Sequence, residues 1–216
     1  MAEKFCGLIY EPLFAKHITG KGHPEKPERT TLTYESLQAK GLIENCTLLP
    51  AIKCQEEMLS MVHLPEYLAI AKKNILEGNK TLSTGDTQVC LDSWNVALGA
   101  TGGLLHAIDR IFSGELKRAF SLSRPPGHHA TPSRGMGFCL FNHVAIAARY
   151  AQKVHNVEKV LIVDWDVHHG NGTQDSFYDD ESVFFFSTHQ YPWYPGTGST
   201  EETGTGKGLG LSLIHI

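Results

Sequence analysis

The sequence predicts an α/β fold in which helices flank a parallel sheet. Three apolar segments, at 118–123, 159–165 and 182–188, have the length and composition of strands, and a helical pattern at 141–155 separates the first two. Strand, helix and strand in this order are typical of a parallel sheet. The middle segment, KVLIVDW, is apolar on both faces, which favours a central position covered by helices on both sides.

Further helices are predicted on the N-terminal side of these strands. An extended, proline-containing loop leads into a helix that begins near Arg29 or Thr30 and stops before Gly41. The segments EEMLSMV and PEYLAIAKKNILEG predict two short helices. At 94–112, apolar or small residues recur at helical spacing, and the glycine pair within this segment indicates close packing against a sheet.

Composition and charge narrow the class of protein. The chain has 216 residues, 41% of them hydrophobic, which suits one globular domain. Its formal net charge of -4 provides no overall basic field for nucleic acid. A cytoplasmic protein is expected, because no apolar stretch could span a bilayer and the N-terminus lacks a secretory signal. The 5 cysteines include no Cys-x-x-Cys pair, which argues against disulfides and a cysteine zinc site.

Chemically reactive side chains follow each of the three predicted strands. The segment RPPGHHA comes after the first strand, DVHHGNG after the second and HQYPWYPGTG after the third. Ligands of parallel sheets bind at the carboxyl ends of the strands. We therefore expect the three segments to meet at one site.

Asp164, Asp166 and His168 alternate along the chain, so an extended backbone would point all three to one side. Carboxylate oxygens and imidazole nitrogens are a natural ligand set for Zn²⁺. We predict Asp166 and His168 as two zinc ligands, and Asp164 as an acceptor that orients a histidine. A catalytic site needs at least a third protein ligand. The alternative is that these are polar residues capping turns at a strand end.

His128 and His129 are adjacent in the loop after the first strand. Two imidazoles beside a metal-activated water make a general base and acid pair. We expect Asp164 to supply an anionic partner to His128, and Asn171 to orient His129. A surface histidine pair is the alternative, but it is weakened because we expect the pair to lie at the end of a strand that neighbours the middle one.

Aromatic residues near these segments predict a narrow channel. Phe138 lies among glycines, and Trp193 and Tyr194 lie between prolines. Two aromatic walls would enclose an apolar stem such as that of acyl-lysine. Phe138 as a core residue and Trp193 in ordinary loop packing are the alternatives.

Five motifs, HPEKPER, RPPGHHA, GFCLFN, VDWDVHHGNGTQ and PGTGS, occur in this order. Together they resemble the histone deacetylase family, which includes deacetylase-like amidohydrolases and acetylpolyamine amidohydrolases. The resemblance covers nearly the whole chain, and the asparagine at position 171 resembles the class II branch of the family. The resemblance implies a sheet of the arginase-deacetylase type, incomplete at the C-terminus, and zinc-dependent hydrolysis of an acyl amide, usually on lysine.

The resemblance also implies roles for individual residues. Bound Zn²⁺ would activate a water and polarise the amide carbonyl, while His129 takes and returns the proton and His128, held by Asp164, stabilises the developing charge. Arg29 resembles an arginine near the pocket floor. The remaining assignments are zinc ligands Asp166 and His168, channel residues Gly137, Phe138 and Tyr194, and a structural K⁺ site of Asp164, Asp166, His168 and Ser187.

Two family groups have no counterpart in the sequence. The third zinc ligand, an aspartate, and a tyrosine that hydrogen-bonds the oxyanion both follow PGTG in the family. We expect residues 1–210 to be the N-terminal portion of one deacetylase catalytic domain. The last six residues, LSLIHI, match a translation of the transposon end used in sequencing-library adapters, so we expect 211–216 to be a non-native read-through tail. The chain by itself is then expected to be inactive and aggregation-prone.

Other functions stay open at this point. A manganese ureohydrolase shares the fold type but needs more carboxylates around two metals, and a non-enzymatic acyl-lysine or polyamine binder would not need the intact histidines. The expected partners are acylated lysine in protein or an acylated small amine, with no direct nucleic acid and no membrane. The sequence does not address oligomeric state.

Overall fold

The structure, a computed structural model, describes residues 5–205 and the backbone of 211–215. Its strands are all parallel and form two three-stranded sheets, one ordered β2-β1-β3 and the other β4-β5-β6. The strands are β1 Cys6–Ile9, β2 Cys46–Leu49, β3 Arg118–Ser121, β4 Val160–Asp164, β5 Val183–His189 and β6 Leu211–His215.

The helices that flank these strands agree with most of the expected segments. A short 3-10 helix, Glu56–Met61, takes the place of the helix predicted for EEMLSMV. The first strands, β1 and β2, and the helix after β4 were not predicted. The helices are α1 Glu28–Ala39, α2 Pro65–Leu76, α3 Ser93–Phe112, α4 His143–His155 and α5 Asn171–Phe177.

The long helix α3 packs closely against the β1 sheet, as the glycine pair indicated. A Cβ added at Gly103 would lie 2.8 Å from the Ile9 side chain of β1, and one at Gly102 would lie 1.8 Å from the Ile52 carbonyl oxygen. Only glycine fits such an approach. The helix therefore sits close above the sheet and joins two of the buried apolar clusters.

The expectation that β3 and β4 are neighbouring strands was wrong. Among the described strands they belong to different sheets, and a groove that reaches from Ser121 to Ile162 and Asp164 lies between them. Their carboxyl ends nevertheless point to the same region, since loops after both strands line this groove. The predicted site residues therefore converge because loops after both strands reach the same region, although β3 and β4 do not pair directly.

Residues Leu211–His215 extend the second sheet as β6, from the pair Phe185↔Leu211 to the pair His189↔His215. An apolar peptide of any origin can add to an open sheet edge through its backbone. The expected read-through origin of 211–216 therefore stays a prediction. Residues 206–210, in the predicted glycine-rich loop, and Ile216 lie outside the described residues. None of the described helices has the length and apolar character required to cross a membrane.

A fully buried arginine joins the N-terminal loop to the end of β3. Arg124 donates two hydrogen bonds to the Glu25 carboxylate, of 2.7 and 2.6 Å, and two more to the carbonyl oxygens of Phe14 and His17. Each of these partners is more than 90 residues away in the chain, and both charged side chains are almost completely buried. The ion pair therefore closes a long loop beneath the segments that carry the predicted site.

Replacing Arg124 with methionine is expected to lower the free energy of unfolding by about 3–5 kcal/mol, because Glu25 would stay buried without its bidentate partner. Urea denaturation followed by circular dichroism measures this. Lys73→Met is the matched control, since Lys73 is 72% exposed and lies 3.8 Å from Glu77, an arrangement that contributes about 0.5 kcal/mol or less. Equal losses in the two variants would contradict a structural role for the buried pair.

One face of the β4-β5-β6 sheet carries exposed apolar side chains. Leu161 of β4 is 62% exposed, Val163 is 45% exposed and Phe184 of β5 is 40% exposed. Leu161 and Phe184 are partners in the register of the two strands. Parallel sheets are usually covered on both faces, so we expect this stripe to drive self-association of the 216-residue chain.

A Leu161→Thr, Val163→Thr double variant should weaken that self-association by roughly tenfold or more, since each apolar side chain buried in a contact contributes about 1.5–3 kcal/mol. Threonine is chosen because it keeps the strand preference. Sedimentation velocity over a concentration series measures the change. Leu76→Gln, at an exposed position outside the stripe, is the control, and an equal effect there would rule out the stripe as the cause.

Candidate active site

A cavity of about 560 Å³ opens where the loops after β3, β4 and β5 meet the N-terminal loop. It brings together most of the residues that the sequence predicted. Asp164 and Asn171 lie behind it in contact with the histidines, and Ser187 is not part of its lining. The residues that line it are Pro24, Glu25, Arg29, Asp86, Pro126, His128, His129, Gly137, Phe138, Asp166, His168 and Tyr194.

His128 is held by the aspartate at the end of β4. Its Nδ1 lies 2.8 Å from Asp164 Oδ2, and the other oxygen of Asp164 accepts the backbone N–H of Asp166. Burial raises the pKa of Asp164, but the hydrogen bond and charge of His128 outweigh it, so the pKa is lowered from its ordinary value. Asp164 is therefore an anionic partner that holds His128 through Nδ1.

His129 is held by a neutral partner. Its Nδ1 lies 2.9 Å from Asn171 Oδ1, at the start of α5. Burial, together with the neighbouring His128, lowers the pKa of His129 to about 4. The Asn171 amide oxygen accepts the Nδ1 proton, and Nε2 is left as a proton acceptor. The two adjacent histidines, with ring centroids 4.0 Å apart, thus have different partners, an anionic carboxylate and a neutral amide.

The prediction of an extended backbone from Asp164 to His168 is wrong. The strand β4 ends at Asp164, and residues 166–168 form a bend. The bend is closed by the Asp166 carboxylate, which accepts the backbone N–H of His168. Asp166 and His168 nevertheless both face the cavity, because the bend, and not strand alternation, brings them to one side.

The Asp166 and His168 side chains fit a shared zinc ion. Asp166 Oδ1 lies 3.1 Å from His168 Nδ1. Two ligands of a tetrahedral zinc ion with metal–ligand bonds of about 2.0 Å are about 3.3 Å apart, which is close to this distance. One carboxylate and one imidazole are a donor set that zinc accepts. No group of three or more His, Cys, Asp or Glu side chains suited to a metal ion occurs within residues 5–205. The described residues would thus offer two ligands to a zinc ion.

The three residues assigned to the channel wall, Gly137, Phe138 and Tyr194, all line the cavity. Tyr194 packs edge-on against His129, with ring centroids 4.9 Å apart, and Phe138 packs edge-on against His23 at 4.5 Å. Trp193, the other aromatic residue of the loop, is exposed and is not part of the lining. Gly137 has a φ of 57°, and a Cβ there would lie 2.3 Å from the His129 ring.

Two further predicted residues occupy less central positions. Arg29 lines the cavity, but its side chain is 54% exposed and lies 3.4 Å from Glu25, so it is not buried beneath the floor. Ser187 pairs with Asp164 across β4 and β5, next to the predicted K⁺ ligands. Its hydroxyl lies 2.9 Å from His189 Nδ1, which leaves oxygen lone pairs for a cation.

Sequence reasoning missed Asp86 and Glu25. One oxygen of Asp86 accepts the backbone N–H of Gly137 at 2.7 Å, and the other accepts the Tyr194 hydroxyl at 3.3 Å. Burial raises the pKa of Tyr194, and the Asp86 charge raises it further. A single aspartate in a polar loop has no local pattern, so only the ring of contacts identifies it.

The chain is similar to known proteins in both sequence and structure. The Histone deacetylase domain matches residues 23–215. The chain belongs to the histone deacetylase family. A solved structure of this family, the HDA15 HD domain, has a TM-score of 0.90 and 34% sequence identity, over 97% of this chain and 62% of that chain. The expected arginase-deacetylase type of fold is confirmed by this likeness.

Named relatives within the histone deacetylase family cover a range of organisms. A probable deacetylase of Archaeoglobus fulgidus is 39% identical over 96% of this chain and 57% of its own length. Histone deacetylase 9 of Homo sapiens is 38% identical over 96% of this chain and 23% of its length. Polyamine deacetylase HDAC10 of Rattus norvegicus is 38% identical over 88% of this chain and 34% of its length. The chain thus spans less than two thirds of each of these relatives.

Proposed function

We propose that these residues belong to a zinc-dependent deacetylase that hydrolyses acyl amides, with acetyl-lysine or a related acylated amine as substrate. The observation that carries the proposal is the 3.1 Å approach of Asp166 Oδ1 to His168 Nδ1 in the same cavity as two adjacent histidines. When bound, zinc supplies Lewis acidity toward the amide carbonyl and a water. The proposed ligands among the described residues are Asp166 and His168.

His129 is the proposed general base and, later, the general acid. Its low pKa keeps it neutral near pH 7, and its hydrogen bond to Asn171 leaves Nε2 free to accept a proton. The same nitrogen would return the proton to the leaving amine. A neutral partner suits this role, because a carboxylate in place of Asn171 would hold the proton on the imidazole more strongly.

His128 is the proposed electrostatic partner of the reaction. The Asp164 carboxylate at 2.8 Å is its anionic partner and fixes the ring orientation. A positive imidazole next to His129 would stabilise negative charge that develops on the amide oxygen. The division of roles between the two histidines is supported by their partners, one anionic and one neutral.

The cavity wall supports an extended acyl-amine substrate. Phe138, Tyr194 and Gly137 line the cavity together with the histidines, an arrangement suited to an apolar stem that ends at the metal. An acylated polyamine is the second candidate substrate, since Asp86 adds a carboxylate to the lining and a relative is named as a polyamine deacetylase. A cytoplasmic location and a structural K⁺ near Ser187 stay predictions.

We further propose that residues 1–210 are the N-terminal portion of one catalytic domain and that the 216-residue chain by itself has low activity. Two ligands hold zinc more weakly than the three or four of established sites. The test uses two proteins, the 216-residue chain and the product of the uninterrupted genomic reading frame that contains it. Each is titrated with zinc and assayed on an acetyl-lysine peptide and on N-acetylated polyamines, with and without chelator.

We expect the genomic product to bind one zinc ion and to hydrolyse an acylated amine in a chelator-sensitive way, and the 216-residue chain to show weak zinc binding and little turnover. Two manganese ions in the genomic product would support the ureohydrolase alternative instead. Binding of acetyl-lysine without hydrolysis would support a non-enzymatic module. Rapid zinc-dependent turnover by the short chain would refute its proposed inactivity.

A further inference from the structure

Five polar side chains hold the loop that carries Tyr194. We call residues 190–199 the wall loop. The loop anchor consists of Thr197 of this loop and four side chains behind it, His169, Gln174, His189 and Glu202. We propose that the loop anchor fixes Tyr194 in the cavity wall, with His169 as the central positioning residue. This inference rests on the proposed function, because Tyr194 is there a wall of the substrate channel.

A chain of three hydrogen bonds connects the wall loop to residue 202. Thr197 Oγ1 lies 2.8 Å from His169 Nδ1, His169 Nε2 lies 2.8 Å from Gln174 Oε1, and Gln174 Nε2 donates to Glu202 Oε2 at 2.5 Å. The Glu202 carboxylate can only accept, so the direction of every bond is determined. Gln174 must donate to Glu202 and His169 must carry a proton on Nε2. In the neutral imidazole, Nδ1 is then the acceptor and Thr197 the donor.

The far end of the chain returns to the wall loop. Glu202 Oε1 accepts the backbone N–H groups of Gly198 and Ser199, at 2.9 and 3.0 Å. His189 Nε2 donates to the Gly198 carbonyl oxygen at 2.9 Å. A Cβ at Gly198 would lie 2.5 Å from that nitrogen, so the loop backbone rests directly on the two buried imidazoles.

The anchor connects the wall loop to both reactive parts of the site. His169 follows the proposed zinc ligand His168, and Gln174 lies on α5, whose first residue, Asn171, holds His129. None of the five side chains belongs to the cavity lining. The anchor therefore acts on the substrate channel through Tyr194 and not by contact with substrate.

The first test measures hydrogen exchange in the 216-residue chain. Thr197→Val removes the hydroxyl that donates to His169, and peptides from the wall loop should exchange about tenfold faster, as for the loss of one hydrogen bond. Thr200→Val is the matched control, because the Thr200 side chain has no hydrogen-bond partner within residues 5–205. Equal exchange in the two variants would overturn the proposal.

The second test uses the determined direction of the hydrogen bonds. Glu202→Gln keeps an oxygen for the two backbone N–H groups but turns a donor toward Gln174, whose amide must then reverse. His169 would have to accept at Nε2 and move its proton to Nδ1, with Thr197 now accepting. The ¹⁵N shifts of the His169 ring report this exchange of tautomers. An unchanged tautomer would contradict the proposed chain of bonds.

The third test separates positioning from general stability. In the zinc-loaded genomic product, Thr197→Val should raise KM for an acetyl-lysine peptide by about five- to tenfold with kcat within about twofold, the pattern of lost binding without lost chemistry. Faster exchange with KM unchanged would refute a positioning role. If Thr197→Val exchanged faster but the unchanged genomic product hydrolysed no acylated amine, the anchor would be supported and the proposed function contradicted.

Discussion

Replacing His129 with alanine is expected to lower kcat/KM for an acetyl-lysine peptide by about 10²–10⁴-fold, the usual contribution of a general base. Its neutral ring, with Nδ1 occupied by Asn171, is the group suited to accept a proton in the cavity. Zinc affinity should stay within roughly twofold, because the proposed metal ligands lie on a different loop. Steady-state kinetics and zinc titration of the genomic product measure the two quantities.

His106→Ala is the matched control, since it removes a histidine on α3 that is not part of the cavity lining. Its kcat/KM should stay within about twofold of the unchanged protein. If His129→Ala retained most of the activity, or lost zinc in parallel with turnover, the proposed assignment of the general base would be wrong. His128→Ala, assayed beside it, tests the electrostatic role separately.

Acidification from pH 7.5 to pH 5 is expected to destabilise the fold by about 6 kcal/mol or more, because three buried histidines outside the cavity lining contribute about 2 kcal/mol each. Burial lowers the pKa of His17, His63 and His143 to about 4. Their pKa in the unfolded chain is about 6.5. The unfolded state therefore binds more protons between those two values, and the stability present above pH 6.5 is lost as the pH falls toward 4.

The hydrogen bonds of His63 explain why the neutral form is favoured. One ring nitrogen lies 3.0 Å from the Thr131 carbonyl oxygen, and the other accepts the Asn142 backbone N–H at 2.9 Å. A second proton would place two donors face to face in a buried site. Urea unfolding at half-unit steps of pH measures the loss, and His63→Gln should reduce the slope by about 1.4 kcal/mol per pH unit. A flat stability between pH 7 and pH 5 would contradict this account.

Sequence patterns predicted the parts of the fold that have long periodic segments. The helices α2, α3 and α4 and the strands β4 and β5 lie within about two residues of expectation. The missed elements are short: β1 and β2 have four residues each, and α5 begins with Asn171 and Gly172, which do not form a helical pattern. The separation of β3 from β4 has no local signature, because pairing between distant strands is decided by the rest of the sheet.

The candidate site was predictable where ionisable residues cluster in the sequence. His128, His129, Asp166 and His168 are all found at one cavity, because parallel strands bring their carboxyl ends together. The supporting residues were not predictable. Asp86 acts through one backbone N–H and one hydroxyl, and His169 acts through contacts to residues 174 and 197, so each depends on tertiary contacts.

The contact between Gly137 and the His129 ring bears on redesign of substrate range. Because a Cβ at position 137 would lie 2.3 Å from that imidazole, any larger residue would move the ring as well as the wall. Substitution of Gly137 would therefore disturb the proposed general base. Libraries that aim to admit bulkier substrates should vary Phe138, whose ring packs on His23, and should keep Gly137 and Tyr194, which both contact His129.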